Sequence, residues 1–223
     1  MKLIYSKIGL IINLEYNLLN NAVVEDNKLF EECVLDLVSD ITGKNNFFIL
    51  SDNEDVIEIN KKLDIIISPL DLKYDKREIN KQLYLYLKRE MVENDLSQLI
   101  NEKYSEIKAI IDQINYISDI PIKYNETIAD EDLFKHFDIL AQNPQGTFIE
   151  KLIEYIGVVR KLTKKNIFVL ANCEAYICDD ELEYLRKYSE YNEIFILFLT
   201  NKPINLKNKI NTYIIDRDLC ELH

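Results

Sequence analysis

Short apolar runs alternate with helical patterns along most of the chain. Runs of consecutive apolar residues are typical of buried strands, and they lie at 8–16, 46–51, 63–68, 166–170, 193–200 and 211–216. Apolar residues at helical spacing predict helices, and these lie at 27–41, 148–162 and 179–191. Buried strands that alternate with helices predict an α/β fold, with a mostly parallel sheet and flanking helices.

The middle of the chain has a different pattern. From residue 75 to about 117 there is no Gly or Pro, which predicts one long helix, or two joined near 93–97. A short strand at 120–124, a helix at 129–140 and a turn at 143–146 follow. We therefore predict an α/β core of residues 1–72 and 146–223, with residues 73–145 inserted as a helical lid.

Composition favours an ordered chain with long regular elements. Hydrophobic residues make up 48% of the 223 residues, and there are 4 Gly and 4 Pro. No apolar run approaches the roughly 20 residues that span a bilayer, and charges come too early for a secretory signal. We expect a cytoplasmic protein. The four cysteines form no CxxC pair, and the two His are distant from CEAYIC, so free thiols are favoured over zinc.

The net charge of −12 and the pI of about 4.7 argue against a nucleic-acid binder if taken alone. The charges are segregated, however. Residues 73–89 hold six Lys and Arg against two acids, and residues 160–165 hold four cations and no acid. Acid is concentrated at 25–40 and 174–193. An acidic chain with this pattern keeps a basic face.

The cations of both basic stretches follow helical faces. In the first helix of the lid, Ile79, Leu83, Tyr86 and Leu87 share one face, and Arg77, Lys81, Tyr84 and Lys88 share the opposite face. Lys161 and Lys164 lie opposite the core face of the later helix. Two interpretations remain open: a solvated helix surface, or a stripe that follows a polyanion. We take Arg77, Lys81, Lys88, Lys161, Lys164 and Lys165 as the candidate DNA-binding residues.

Catalytic motifs are missing from the sequence. Neither GxxxxGK[ST] nor GxGxxG occurs, and Gly43 in ITGKNNFF ends a helix rather than beginning one. There is no GxSxG elbow, and His136 lies within a helical pattern. We expect no enzyme activity and no bound nucleotide.

Acids cluster where the helix at 129–140 begins. Glu126, Asp130, Glu131 and Asp132 supply the oxygen ligands that Ca²⁺ or Mg²⁺ prefers. Acids at a helix start also stabilise the helix dipole, so both interpretations stay open. The metal candidates are Glu126 and Asp130.

The sequence resembles the Csn-two (Csn2) family of type II-A CRISPR–Cas systems. The central block TFIEKLIEYIGVVRKLTKKNIFVLANCEAYICDDELEYL at 147–185 carries a Leu-Thr-Lys-Lys run, a buried strand, a small-residue turn and an acidic helix. ILFLT at 196–200 is similar to the strand that follows. AVVEDNKLFEECV at 22–34 resembles the family's early strand, acid pair and helix.

The resemblance implies a P-loop-ATPase-like core without the phosphate loop. It also implies a ring-shaped homotetramer that binds double-stranded DNA at ends, supported by Ca²⁺. Such a ring acts in spacer acquisition and antiviral defence, beside the CRISPR integrase proteins and the RNA-guided nuclease. No catalysis is implied. The alternatives are a divergent nucleotide hydrolase and a protein–protein scaffold of the adaptation complex.

Overall fold

The computed structural model describes residues 1–223 except 54, 75, 126, 128, 204–209, 219, 220 and 223, and omits the side chains of residues 130, 221 and 222. The chain divides into two compact units. Residues 1–73 and 143–223 form the first, which we call the α/β unit. Residues 74–142 form the second, which we call the helical unit.

The described residues of the α/β unit contain ten strands. In chain order they are β1 (Lys2–Tyr5), β2 (Leu10–Asn13), β3 (Leu19–Val24), β4 (Phe48–Asp52), β5 (Asp55–Ile57), β6 (Leu63–Ile66), β7 (Ile167–Ala171), β8 (Phe195–Thr200), β9 (Ile210–Ile215) and β10 (Glu221–Leu222). The helices of this unit are α1 (Asn27–Ile41), α2 (Ile59–Lys62), α6 (Phe148–Thr163) and α7 (Asp179–Asn192), with a 3₁₀ turn at Glu174–Tyr176. The helical unit contains α3 (Arg77–Glu93), α4 (Leu96–Ile117) and α5 (Asp130–His136).

The larger sheet has the order β10-β9-β3-β8-β7-β6. Its strands β3, β6, β7, β8 and β9 are parallel, and β10 is antiparallel to β9. Every residue of β3 and β7 is buried, as is every residue of β8 after Phe195. Burial on both faces is typical of parallel strands between helices. The predicted fold class, an α/β fold with a mostly parallel sheet, is confirmed.

A second sheet of four antiparallel strands, in the order β2-β1-β4-β5, holds two of the predicted strands. The runs at 8–16 and 46–51 form β2 and β4 here, rather than in the parallel sheet. In β2, Leu10 and Ile12 are buried while Ile11 and Asn13 are exposed, so this strand packs on one face. Side chains of both sheets and of α1 form one hydrophobic core. The apolar run therefore predicted a strand but not its sheet.

The helices α1, α6 and α7 of the α/β unit begin at recognisable capping residues. Asp26 caps α1, and Gly43 follows it with a φ of +73° and donates its N–H to the Asp40 carbonyl. Thr147 and Glu150 form a reciprocal capping box at the start of α6. Cys178 is the N-cap of α7, and Glu181 accepts its backbone N–H at 2.8 Å.

The helical unit differs from the sequence prediction in the segment after α4, where α5 also ends at His136 instead of reaching residue 140. The predicted break near 93–97 is present, because α3 ends at Glu93 and Asp95 has a φ of +57° before α4. The strand predicted at 120–124 is absent, and these described residues form no sheet. Pro121 has no N–H to donate, and the N–H groups of Ile120 and Ile122 bond instead to the Ser118 hydroxyl and the Asn115 amide. Across the described residues, no helix combines the length and apolar character needed to cross a bilayer.

We expect the capping box of α6 to make stability depend on pH. Glu150 accepts hydrogen bonds from the Thr147 N–H at 2.8 Å and the Thr147 hydroxyl at 3.0 Å, which lowers the pKa of Glu150. A lowered carboxyl pKa contributes stability above the ordinary value of 4.5 that is lost as the pH falls through the folded-state pKa. In urea unfolding, the midpoint difference between the native protein and Glu150→Ala should be present at pH 7 and should close as the pH falls below 4.5 and through the lowered folded-state pKa.

Glu154→Ala is the control for this prediction. Glu154 lies one turn later on α6, outside the capping box. A midpoint difference for Glu150→Ala that stayed constant from pH 7 to pH 3 would contradict the assigned role of the carboxylate.

Candidate nucleic-acid interface

Four cations converge in a cleft of the α/β unit. Lys62, Arg160, Lys161 and Lys164 line it, and we call it the basic cleft. Its volume is about 540 Å³, and its wall is mostly polar. The remaining lining residues are Gly157, Asn166, Tyr188, Asn192 and Glu193. Four cations therefore face a single acid, Glu193.

The parallel sheet places these residues at one edge. Lys62 directly precedes β6, Asn166 precedes β7, and Glu193 lies two residues before β8. Backbone hydrogen bonds join the three strand starts: the Asn166 N–H donates to the Lys62 carbonyl at 3.0 Å, and the Phe195 N–H donates to the Asn166 carbonyl at 2.8 Å. The basic cleft consequently lies at the amino edge of the sheet, beside the C-terminal ends of α6 and α7.

Side-chain contacts fix the wall between α6 and α7. Arg160 Nη1 donates to Asn192 Oδ1 at 3.2 Å, and Asn192 Nδ2 donates to the Tyr188 carbonyl at 2.9 Å. The Tyr188 hydroxyl donates to the Ile153 carbonyl at 3.5 Å. Burial raises the pKa of Tyr188, although the charge of Arg160 opposes the shift. Tyr188 is therefore a neutral part of the wall.

The cations beside the helix ends have a structural role as well. The C-terminal end of a helix carries partial negative charge, so Arg160 and Lys161 in the last turn of α6 stabilise it. Lys62 and Lys164 belong to no ion pair with any described residue. Their charges stay available to a ligand.

Lys164 and Glu193 end their helices in the left-handed conformation. Lys164 has a φ of +64° at the end of α6, and Glu193 has a φ of +51° at the end of α7. Glycine is the usual residue at such positions, since other residues meet their own carbonyl. A lysine and a glutamate thus occupy strained positions in the same cleft.

Lys165 does not join the other cations of the Leu-Thr-Lys-Lys run. Its side chain is buried, with a relative exposure of 4%, and it does not line the cleft. Lys164 turns the chain through its left-handed backbone, which directs the next side chain inward. A buried ammonium does not contact a phosphate in solution, and we leave Lys165 out of the proposals below.

The candidate cations of the helical unit lie on α3. Arg77, Lys81 and Lys88 are exposed, and Ile79 is buried on the opposite face, as the helical spacing predicts. Tyr84, predicted on the basic face, is half-buried, with its ring centroid 5.6 Å from that of Phe134. We call Arg77, Lys81 and Lys88 the α3 stripe. It belongs to a different unit from the basic cleft.

Two of the four cations that line the basic cleft are absent from the candidates drawn from sequence. Arg160 belongs to the basic stretch 160–165, and Lys62 precedes the strand predicted at 63–68. Residues that precede neighbouring parallel strands share an edge, and β6 pairs with β7 from Leu63 and Ile167 onward. By that rule Lys62 lies at the same edge of the sheet as Lys164. This shared edge is the signal by which Lys62 can be identified as a candidate from the sequence.

The carboxyl edge of the same sheet has no room for a phosphate at α1. The connection from β3 to α1 is Glu25 and Asp26 alone. Asp26 Oδ1 accepts the backbone N–H groups of Lys28 at 3.0 Å and Leu29 at 2.9 Å. A phosphate-binding loop presents such N–H groups to its ligand. Here a carboxylate occupies them, and its charge repels a second anion.

The predicted metal ligands fall at the limit of the described structure. Glu126 and the side chain of Asp130 lie outside the described residues. The neighbouring Asp132 is exposed and pairs with Lys135 at 3.3 Å. Among the side chains that are described, no three His, Cys, Asp or Glu converge on a metal-sized position. The described residues therefore do not form a calcium site by themselves, and calcium stays a prediction.

The family follows from the extent of a sequence match. The family described as CRISPR-associated protein (Cas_Csn2) matches residues 40–219. This chain belongs to the Csn2 family. The match includes every residue of the basic cleft and of the α3 stripe.

Two curated relatives carry the name CRISPR-associated protein Csn2. The protein from Enterococcus faecalis is 26% identical over 138 residues, and the protein from Streptococcus agalactiae is 29% identical over 139 residues. Each match covers 57% of this chain and 61% of the relative. The chain thus matches less than two thirds of the length of these relatives.

The fold is also similar to a solved structure. The crystal structure of Stu0660 of Streptococcus thermophilus aligns with 97% of this chain and 75% of that chain, with a TM-score of 0.65. The sequence identity is 17%, so the similarity shows a shared fold alone.

Glycine substitutions at the two left-handed helix ends should not destabilise the protein. Lys164→Gly and Glu193→Gly each remove a strained side chain, and glycine adopts this backbone freely. The gain is partly offset by the greater freedom of glycine in the unfolded chain. We expect the free energy of unfolding of each variant to equal that of the native protein or to exceed it by up to about 1 kcal/mol.

Urea unfolding at neutral pH measures this effect. Lys161→Gly is the control, because Lys161 lies inside α6 and glycine there weakens the helix by about 1 kcal/mol. Losses of equal size for all three variants would show that the left-handed positions carry no strain.

Proposed function

We propose that this chain is a non-catalytic protein that binds double-stranded DNA, preferentially at ends. We further propose that it works as a ring-shaped homotetramer in spacer acquisition and antiviral defence. Membership of the Csn2 family supports the assignment to CRISPR systems. The observation that carries the DNA-binding proposal is the convergence of four cations in the basic cleft of a chain with a net charge of −12.

The phosphate backbone is the part of DNA that these cations fit. Duplex DNA carries one charge per about 1.7 Å of its axis. Lys62 and Lys164 have no ion pair with described residues, and Arg77 and Lys81 on the α3 stripe share that property. Lysines that contact phosphates position a protein on DNA without reading its bases. The proposed recognition is therefore of backbone and shape.

A nucleotide hydrolase is the less favoured function. The helix that follows the first parallel strand is where a phosphate loop would deliver a nucleotide. The Asp26 carboxylate accepts the backbone N–H groups that a phosphate would need there. We therefore favour assembly and DNA binding through exposed cations over hydrolysis.

The homotetramer has support from an exposed face of α4. Isoleucines occupy positions a of three successive heptads (Ile100, Ile107, Ile114), and the d positions hold Leu96, Lys103, Ile110 and Ile117. No residue of α4 is buried, and Ile110 and Ile114 are 56% and 50% exposed. Isoleucine at both a and d favours assemblies of three or four helices. We propose that α4 packs against α4 of another copy.

The partners proposed from family membership are the CRISPR integrase proteins and the RNA-guided nuclease. A role as a protein–protein scaffold is compatible with DNA binding. Ca²⁺ is proposed as a structural ion, with Glu126 and Asp130 as its candidate ligands.

A gel shift tests the DNA-binding proposal. Linear duplex should be retarded at low salt, and covalently closed circular duplex of equal length should not, because a ring threads onto a free end. Lys161→Gln with Lys164→Gln should weaken binding to linear duplex and lower the slope of log affinity against log salt by about 2.

Lys187→Gln is the matched control, because Lys187 is exposed on α7 and does not line the cleft. Equal retardation of linear and circular DNA would contradict end binding, and no retardation of either would overturn the function. A chelator that abolished binding would support the calcium proposal.

Charged substitutions in the proposed α4 interface should reduce the size of the assembly. Ile110→Glu with Ile114→Glu places charges in the proposed seam, and the protein should sediment as a smaller species because buried unpaired charges are costly. Ser105→Glu is the control, since Ser105 is exposed outside the a and d positions. A native protein that sediments as a monomer, or a double variant that remains a tetramer, would contradict the interface.

A further inference from the structure

The basic cleft has features that a DNA backbone does not require. We propose that it binds one nucleoside phosphomonoester, with the phosphate among Lys62, Arg160, Lys161 and Lys164 and the nucleoside against Tyr188 and Asn166. Two sources share this chemistry: the phosphorylated end of a DNA strand, and a free mononucleotide. The first source rests on the proposed function, and the second does not.

The charge of the cleft favours a phosphomonoester over an internal phosphodiester. A monoester carries a charge of about −1.5 to −2 at pH 7, whereas each internal phosphate of DNA carries −1. Four cations and one acid line the cleft, and Lys62 and Lys164 lack ion pairs with described residues. Because the attraction scales with the product of the charges, a converging set of cations gains more from the dianion.

The volume of the cleft exceeds the needs of a phosphate alone. At about 540 Å³ it falls in the range of pockets that hold small organic ligands, roughly 300–1,000 Å³. Gly157 presents no side chain to this space on α6, and a Cβ at that position would be in ordinary contact, 3.4 Å, with the Tyr188 hydroxyl. The Tyr188 ring is held between the helices and offers a surface on which any base can stack.

Asn166 supplies the observation that points beyond phosphate. Its Oδ1 atom is enclosed by protein and has no hydrogen-bond partner in the described structure, so a ligand in the cleft that Asn166 lines reaches this acceptor when the amide rotates toward it. A buried acceptor without a donor is costly, typically about 1–3 kcal/mol. A phosphate dianion has no hydrogen to donate, whereas the hydroxyl and amino groups of a nucleoside do. A nucleotide thus satisfies both the cations and Asn166.

The position of the cleft separates this site from nucleotide hydrolysis. Nucleotides in open α/β sheets bind at the carboxyl ends of the strands. The basic cleft lies at the amino edge, and Asp26 occupies the helix start at the carboxyl edge. The proposed site therefore lies at the opposite edge of the sheet from the position where this class of fold binds nucleotides.

Calorimetry with three probes tests the proposal. Deoxyadenosine 5′-monophosphate should bind the native protein at least about tenfold more tightly than inorganic phosphate or deoxyadenosine, because each of those satisfies one part of the site. Lys164→Gly should lower its affinity about tenfold without loss of stability. Asn166→Ala should lower affinity for the mononucleotide and leave that for inorganic phosphate unchanged.

The control is Lys187→Gln on α7, outside the lining of the cleft, which should bind the mononucleotide as the native protein does. Equal affinity for the mononucleotide and inorganic phosphate, or an affinity that Lys164→Gly and Asn166→Ala leave unchanged, would overturn the proposal. The stability of each variant is measured by urea unfolding, so that a folding defect is not read as lost binding.

Duplexes with 5′-phosphate or 5′-hydroxyl ends distinguish the two sources. Tighter binding of the phosphorylated duplex, reversed by the mononucleotide, assigns the cleft to strand ends. Mononucleotide binding with no effect of the end phosphate assigns it to a free nucleotide. Duplex binding without mononucleotide binding leaves the proposed function standing and sinks this inference. Mononucleotide binding without duplex binding would support this inference and contradict the proposed function.

Discussion

The hydrogen-bond register of the parallel sheet is the constraint on which the arrangement of charges depends. Parallel strands start at one edge and end at the other, and β6, β7 and β8 are held in register from Leu63, Ile167 and Phe195. Each strand start is preceded by the end of a helix or a short loop. Side chains that are far apart in sequence, such as Lys62 and Lys164, therefore meet at the amino edge.

Glycine is scarce in this chain, and the scarcity has a structural consequence at the cleft. With 4 Gly in 223 residues, several turns that favour glycine use other residues. Lys164 and Glu193 accept left-handed backbones where α6 and α7 end. The same residues carry the charges that face the cleft, so backbone strain and charge display occur at the same two positions.

The sequence predicts regular elements better than it predicts their partners. Helical spacing places α1 at Asn27–Ile41 and the break between α3 and α4, because both depend on local periodicity and capping. The runs that form β2 and β4 give no sign of their antiparallel sheet, since pairing depends on distant residues. Lys165 is buried although it lies next to exposed Lys164, because one left-handed residue reverses the direction of the chain. Periodicity alone does not contain that information.

The two edges of the parallel sheet differ in charge. Glu25 and Asp26 follow β3 and Asp216 follows β9, whereas the cations of the basic cleft precede β6 and β7. A strand of five or six residues separates these edges by roughly 17–20 Å, about two Debye lengths at physiological salt. The acids therefore do not neutralise the cations across the sheet. Charges of opposite sign at the two edges contribute a dipole along the strands, and an external electric field exerts a torque on that dipole.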